Sequence, residues 1–205
     1  MLEIMVDIET LSTRTQAVII QIGAVAFDRK SGEIPDEMLV NVNMNSCLKL
    51  GLEVDGKTLL WWMDQPKEAR DAVFKNPEPL PKALGLLNSF IDKHKEPFVT
   101  EEGENRTRSP KMWSHSTFDY NRLEAAYEAC DMRFNIRYQK ARDIRTLTDL
   151  AEMNYDEIKD QGFEGQQHTA LADCRNQVKY MTKCFNRLKV DHHDIVPGNK
   201  SVLED

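Results

Sequence analysis

No stretch of this 205-residue sequence approaches the ~20 consecutive apolar residues needed to cross a bilayer. The opening Met1-Leu2-Glu3-Ile4 has neither the basic nor the apolar region of a secretory signal, so neither membrane nor export is expected. Cysteine is scarce: Cys47, Cys130, Cys174 and Cys184 form no CxxC pair and no Cys/His cluster with zinc-finger spacing. They are expected as reduced thiols in a cytoplasmic compartment. Basic charge is also in deficit, with 27 Lys and Arg against 34 Asp and Glu, a formal net charge of −7. Proteins that coat duplexes draw their affinity from phosphate neutralisation and are usually basic. The deficit argues against that class. It leaves room for an enzyme that sets divalent cations between its own carboxylates and the phosphates. Internal repeats are missing too. What is present, 40% hydrophobic and 30% charged residues, describes an ordinary soluble protein of a length that suits one domain.

The pattern of apolar residues predicts an α/β domain over residues 1–190 and a polar tail over 191–205. Ile4, Val6 and Ile8 alternate with Met5, Asp7 and Glu9, the period of a strand. Val18–Phe27 is nearly continuously apolar, as a central strand buried on both faces would be. Met38–Met44 alternates again. Helices are expected at Lys57–Met63 and Lys67–Phe74, and from Pro79 and Pro81 to about His94. Pro97–Pro110, polar and acidic, reads as a mobile loop. Lys111–Ser116 reads as a strand, Asp119–Cys130 as a helix, Arg142–Thr146 as a last strand and Leu147–Met153 as a helix. A final helix over Thr169–Leu188 carries the stripe Cys174, Val178, Met181, Phe185 and Leu188. Such an order of elements indicates a mixed sheet with flanking helices.

Within this pattern several acids stand where acids are costly. Asp7 and Glu9, two apart on a strand, point to one face roughly 7 Å apart. A lone DxE is more often a solvated strand face. Here the neighbouring strand reads as buried, and like charges near a sheet centre are unfavourable unless a cation compensates them. Asp119 opens a helix, one turn before inward Leu123, where it serves either as a cap or as a ligand. Asp173 lies beside the apolar stripe of the last helix, as a helix-edge acid or a fourth ligand. His168 precedes that helix in a glycine-containing loop. Four acids and a histidine together suit two oxygen-ligated divalent ions and a base active near neutral pH.

In order, Asp7-Ile-Glu-Thr10, Phe118-Asp119 and His168-(four residues)-Asp173 resemble the three motifs of the DEDDh exonuclease superfamily, the class that includes ribonuclease T. Thr169 stands where the sister class carries tyrosine, so the histidine variant is indicated. Trp61-Trp62-Met-Asp-Gln65-Pro-Lys-Glu-Ala69-Arg70 and Arg142-Asp-Ile-Arg-Thr146 look like segments of the bacteriophage exodeoxyribonuclease A and exodeoxyribonuclease VIII-like group. The resemblance spans roughly Met5 to Leu188. It implies a ribonuclease H-like fold whose five-stranded mixed sheet begins with three antiparallel strands. It also implies two Mg²⁺ or Mn²⁺ ions held about 4 Å apart by Asp7, Glu9, Asp119 and Asp173. His168 would be the general base, and Thr10 and Leu11 would contact the terminal nucleotide, although Leu11 suits the core equally.

Adjacent tryptophans on a helix point about 100° apart, so one packs while the other can wall a substrate groove; Trp62 is taken as the wall. The expected activity is 3′→5′ exonucleolytic removal of nucleotides from DNA. The alternatives are an exoribonuclease acting on RNA ends, a nucleic-acid-binding domain without turnover, and an internally cutting relative of ribonuclease H. The filled set of five motif positions and the His-x4-Asp spacing favour an exonuclease.

Overall fold

β1 (Glu3–Thr10) runs through the middle of a five-stranded mixed sheet and carries the first two acids into its centre. The computed structural model describes residues 2–159, 162–165 and 167–195. On one side β1 pairs antiparallel with β2 (Ile19–Phe27), which pairs antiparallel with β3 (Asp36–Asn41). An antiparallel hairpin follows, β4 (Glu96–Val99) with β5 (Asn105–Arg108), standing apart from the main sheet. On the other side of β1 lie β6 (Met112–Ser114) and β7 (Ala141–Asp143), both parallel, giving the order β3-β2-β1-β6-β7. This is the α/β architecture that the sequence pattern predicts.

The two faces of β1 bury different cores. Ile4, Val6 and Ile8 pack with Leu84, Leu87 and Ile91 of α4 (Leu80–Lys93) and with Leu123 and Tyr127 of α5 (Asp119–Ala129). Met5, on the other face, joins Val25 and Phe27 against α6 (Ile144–Leu150) and α8 (Ala170–Ile195). Cys174, Val178 and Met181 supply the α8 side of this second core, at helical spacing. Asp7 and Glu9 share the Met5 face, so both look toward the first turn of α8.

Several boundaries differ from the sequence expectation. The third strand stops at Asn41, and α1 (Met44–Lys49) begins instead, because the Asn43 side chain accepts the Ser46 N–H and caps it. By contrast, α2 (Gly56–Met63), capped by Asp55, and α3 (Lys67–Phe74), after Pro66, lie where they are expected. Pro97–Pro110, read as a loop, contains the β4–β5 hairpin, whose Phe98 ring lies under the Arg108 guanidinium at 5.0 Å. The last strand ends at Asp143, whose carboxylate accepts the Arg145 N–H and starts α6 three residues earlier than expected. α7 (Tyr155–Lys159) was not expected. α8 continues to Ile195, past the expected boundary at residue 190; residues 196–205 of the tail lie outside the described residues. Among the described residues, no helix is long and apolar enough to cross a membrane.

Candidate active site

The site is assembled where α8 lands on the sheet. Asp7 pairs in register with Gly23, and Glu9 with Gln21, on the adjacent strand. A Cβ on Gly23 would lie 2.5 Å from the Ala170 carbonyl carbon, so only glycine lets the start of α8 rest on the strand here. Gln21, fully buried, fastens the same helix end. Its Oε1 accepts the Ala170 N–H at 2.7 Å, and its Nε2 donates to Asn41 Oδ1 at 2.7 Å. Asn41 in turn donates to the Ala72 carbonyl at 2.8 Å. Backbone and side chain thus set Asp173, in the first turn of α8, opposite Asp7 and Glu9.

Asp119 arrives from the other direction as the first residue of α5 and is 1% exposed. Its carboxylate turns back to accept the His115 N–H at 2.8 Å, which fixes the turn between β6 and α5. Arg122, one turn on, lies over the Phe118 ring at 3.6 Å and donates to the Phe118 carbonyl at 2.8 Å. One carboxylate oxygen each from Asp7, Glu9 and Asp173 come within 4.8 Å of one another. A second group, sharing Asp7, joins it to Asp119 and a ring nitrogen of His115 within the same limit. Gln177, one turn beyond Asp173, donates from Nε2 to Asp7 Oδ1 at 2.8 Å.

These carboxyls resist ionisation. Burial, followed by the charges of Asp119, Glu9 and Asp173, holds Asp7 well above the ordinary carboxylate range, against the Gln177 hydrogen bond. Burial and then Asp173 and Asp119 push Glu9 up to about 8. Burial raises Asp119 to about 7, opposed by the backbone N–H groups of His115 and Ile8 and by Arg122 and Arg145. Burial raises Asp173 to about 6, opposed by its hydrogen bond with the Thr169 backbone. Asp7 and Asp119 are buried and Glu9 and Asp173 half-buried, and among the described residues none of the four forms an ion pair, a standing demand for positive charge. The donor set fits a divalent cation: Asp7, Glu9 and Asp173 offer only oxygen, the preference of a hard ion. Gln177 Oε1 adds beside them a buried acceptor without a hydrogen-bond partner among the described residues.

His168 sits in the left-handed backbone region, with φ 60°, directly before α8. An imidazole there is held by tertiary context, since a non-glycine residue avoids that region. Its ring meets the Trp61 indole edge-on, centroids 4.9 Å apart. Burial lowers its pKa from the usual imidazole value. Asp7, Glu9, Asp119, Asp173 and His168 line one open cleft of about 430 Å³.

The remaining expected residues divide. Trp62 is 2% exposed, with its indole N–H donating to the Thr10 carbonyl at 2.9 Å; it packs. The more open of the pair is instead its neighbour Trp61, which is 43% exposed. Helical geometry explains the exchange, because only one of two adjacent side chains can face the β1 end. Leu11 lies wholly within the larger core, the second of the two roles open to it. Thr10 is buried, but it lines a neighbouring recess of about 500 Å³ with Glu9, Lys57, Trp61, Trp62 and Phe118. Gly23, Gln21, His115 and Gln177 were not picked out from sequence. Gln177 had a signal, lying four residues after Asp173 on the same helix face; His115 is placed by a turn that no periodicity reveals.

The sequence profile described as the 3′-5′ exoribonuclease Rv2179c-like domain matches residues 2–185. No curated protein sequence matches this chain. Among solved structures, the nuclease domain of 3′hExo, described as a DEDDh family member bound to rAMP, superposes with a TM-score of 0.62. It is 12% identical, over 90% of this chain and 92% of that one. An E. coli ExoI–ssDNA complex gives a TM-score of 0.60 at 12% identity, over 92% of this chain but only 43% of ExoI. Cell-death related nuclease 4 gives 0.53 at 11% identity, over 90% of this chain and 64% of that one. At these identities the likeness is one of fold.

Proposed function

We propose, starting from the fact that this chain belongs to the 3′-5′ exoribonuclease Rv2179c-like domain family, that it hydrolyses nucleotides from the 3′ end of RNA with the help of divalent cations. The observation that carries the reading is the convergence of Asp7, Glu9, Asp119, Asp173 and His168 on one cleft. Asp7, Glu9, Asp119 and Asp173 would hold Mg²⁺ or Mn²⁺. When bound, such ions neutralise the scissile phosphate and lower the pKa of a coordinated water.

The protein's own residues do the rest. Asp7 belongs to both donor groups and would contribute to holding either cation. Gln177 keeps the Asp7 carboxylate oriented through Oδ1. His168, neutral at pH 7 because burial disfavours its charged form, accepts the proton of the attacking water at an imidazole nitrogen. Trp61 keeps that ring in place and offers its exposed face to the terminal base, as a stacking wall beside Thr10. Trp62 supports the wall from behind by holding the Thr10 carbonyl.

A second reading keeps this chemistry and takes DNA as substrate. It is favoured by the likeness of Trp61–Arg70 and Arg142–Thr146 to the exodeoxyribonuclease A and VIII-like group. The sugar decides between the two, since the 2′-OH is what distinguishes the strands at the scissile nucleotide. Matched RNA and DNA oligomers of one sequence, 5′-labelled and incubated with the purified protein and Mn²⁺, test it. The reading predicts faster shortening of RNA. Faster shortening of DNA would transfer the assignment to the second reading.

A further inference from the structure

His115 is not needed by the motif logic, yet the fold delivers it to the acids. It lies in the turn between β6 and α5, where the Asp119 carboxylate binds its backbone N–H. That bond leaves the imidazole free to point elsewhere. A ring nitrogen comes within 4.8 Å of carboxylate oxygens of both Asp7 and Asp119. Two ligands on one ion with arms of ~2.1 Å stand at most about 4.2 Å apart. A side-chain adjustment of under about 1 Å would therefore let all three share a cation.

An independent feature points to the same place. Gln177 is 5% exposed, and its Oε1 has no hydrogen-bond partner among the described residues. It lines the cleft with His115, Asp7 and Asp119, while its Nε2 is already committed to Asp7. A buried amide oxygen left open is costly, and a water carried by a cation beside Asp7 would satisfy it.

We propose that His115 is a nitrogen ligand of the cation held by Asp7 and Asp119, with Gln177 accepting a hydrogen bond from a water on that cation. The two positions then differ in chemistry. Asp7, Glu9 and Asp173 form an all-oxygen site open to Mg²⁺, whereas the His115 site has a donor that favours Mn²⁺ and other transition ions. The inference rests on the metal-dependent reading above and assigns a metal preference to half of it.

Pulsed electron paramagnetic resonance of the full chain loaded with Mn²⁺ reads the ligand directly, since a coordinated imidazole gives ¹⁴N modulation. Calorimetric titration with Mn²⁺ and with Mg²⁺ gives the affinities. Wild-type protein should bind two Mn²⁺ and show ¹⁴N coupling. The coupling should disappear in His115→Ala and His115→Asn, and persist in His168→Ala. One of the two Mn²⁺ affinities should fall in the His115 variants by at least the ~10-fold that loss of a residue merely supporting a ligand produces, with Mg²⁺ affinity changing far less. Circular dichroism identifies a variant that has unfolded, and the wild-type spectrum stands independently of the variants. Two bound Mn²⁺ without ¹⁴N coupling, or coupling that survives His115→Ala, would overturn the inference and leave the nuclease reading standing. No Mn²⁺ binding by wild type would overturn both.

Discussion

Gly23 and Ala170 stand so close that the missing Cβ of the first would be 2.5 Å from the carbonyl carbon of the second. Gly23 is also the strand partner of Asp7, and Ala170 opens the helix that carries Asp173. One contact therefore sets the spacing between two acids 166 residues apart in the sequence. Gly23→Ala should push the start of α8 off the sheet. Overpacking of this kind costs roughly 1–3 kcal/mol. The expected result is a lower melting temperature together with a drop in kcat and weaker metal binding. An unchanged kcat would mean that the helix end is not what positions the site.

The acids should make metal-free protein less stable as pH rises. Unfolded carboxyls titrate near ~4, whereas Asp173, Asp119 and Glu9 titrate near 6, 7 and 8 in the fold. Between those values the native state binds more protons than the unfolded state, so stability falls with increasing pH. It is fully present below about pH 4 and lost progressively toward pH 8. Thermal melts in EDTA should show this decline, and Mn²⁺ should raise the melting temperature more at pH 8 than at pH 5. Asp7→Asn, which removes one buried charge, should flatten the metal-free profile. A melting temperature that rises from pH 5 to 8 in EDTA would contradict the electrostatic account.

Loss of the proposed base should be separable from loss of metal. His168→Ala should lower kcat by about 10²–10⁴-fold with little change in Mn²⁺ affinity, since four carboxylates remain. Because burial lowers the His168 pKa, the acid limb of the wild-type rate profile should lie below the pH at which a free imidazole titrates. The limb should change in the variant. Asp7→Ala, Glu9→Ala and Asp119→Ala should each abolish turnover and weaken Mn²⁺ binding, as should Asp173→Asn. Near wild-type turnover in His168→Ala would reduce that histidine to a structural residue.

The two tryptophans should separate cleanly. Trp61→Ala should keep the fold and raise KM, by about the 1–3 kcal/mol that stacking contributes per base. It should also lower kcat, because the His168 ring loses its neighbour. Trp62→Ala should cost about 3–5 kcal/mol of stability, as for a large core side chain. Chemical denaturation and steady-state kinetics on both variants check the division. A stable Trp62→Ala with a raised KM would restore the groove role to Trp62.

The first three strands and the placement of Asp7, Glu9 and Asp173 follow from periodicity, whereas Asp119 and His168 stand out through the motif resemblance. Alternation over Ile4–Glu9 puts two acids on one face, and a helical stripe beginning at Cys174 puts Asp173 beside it. What sequence did not reveal depends on contacts between distant segments. Which of Trp61 and Trp62 faces inward is decided by the Thr10 carbonyl, 52 residues from Trp62. Gly23 reads as an ordinary strand glycine until α8 is laid across it. The hairpin at Glu96–Arg108 escaped notice because polar, exposed strands have no buried face to produce alternation. The start of α6 lies earlier than the apolar pattern suggests because the Asp143 side chain caps it by accepting the Arg145 N–H, a contact that periodicity does not register.

Cation-dependent release of nucleotides from a free 3′ end is the activity that the cleft of Asp7, Glu9, Asp119, Asp173 and His168 is proposed to carry. The most direct test incubates the full chain with a 5′-labelled RNA oligomer and with the same RNA closed into a circle, in Mn²⁺ and in EDTA. The linear strand should shorten stepwise from its 3′ end in Mn²⁺, the circle should stay intact, and neither should react in EDTA. Nicking of the circle, or undiminished shortening in EDTA, would contradict that activity.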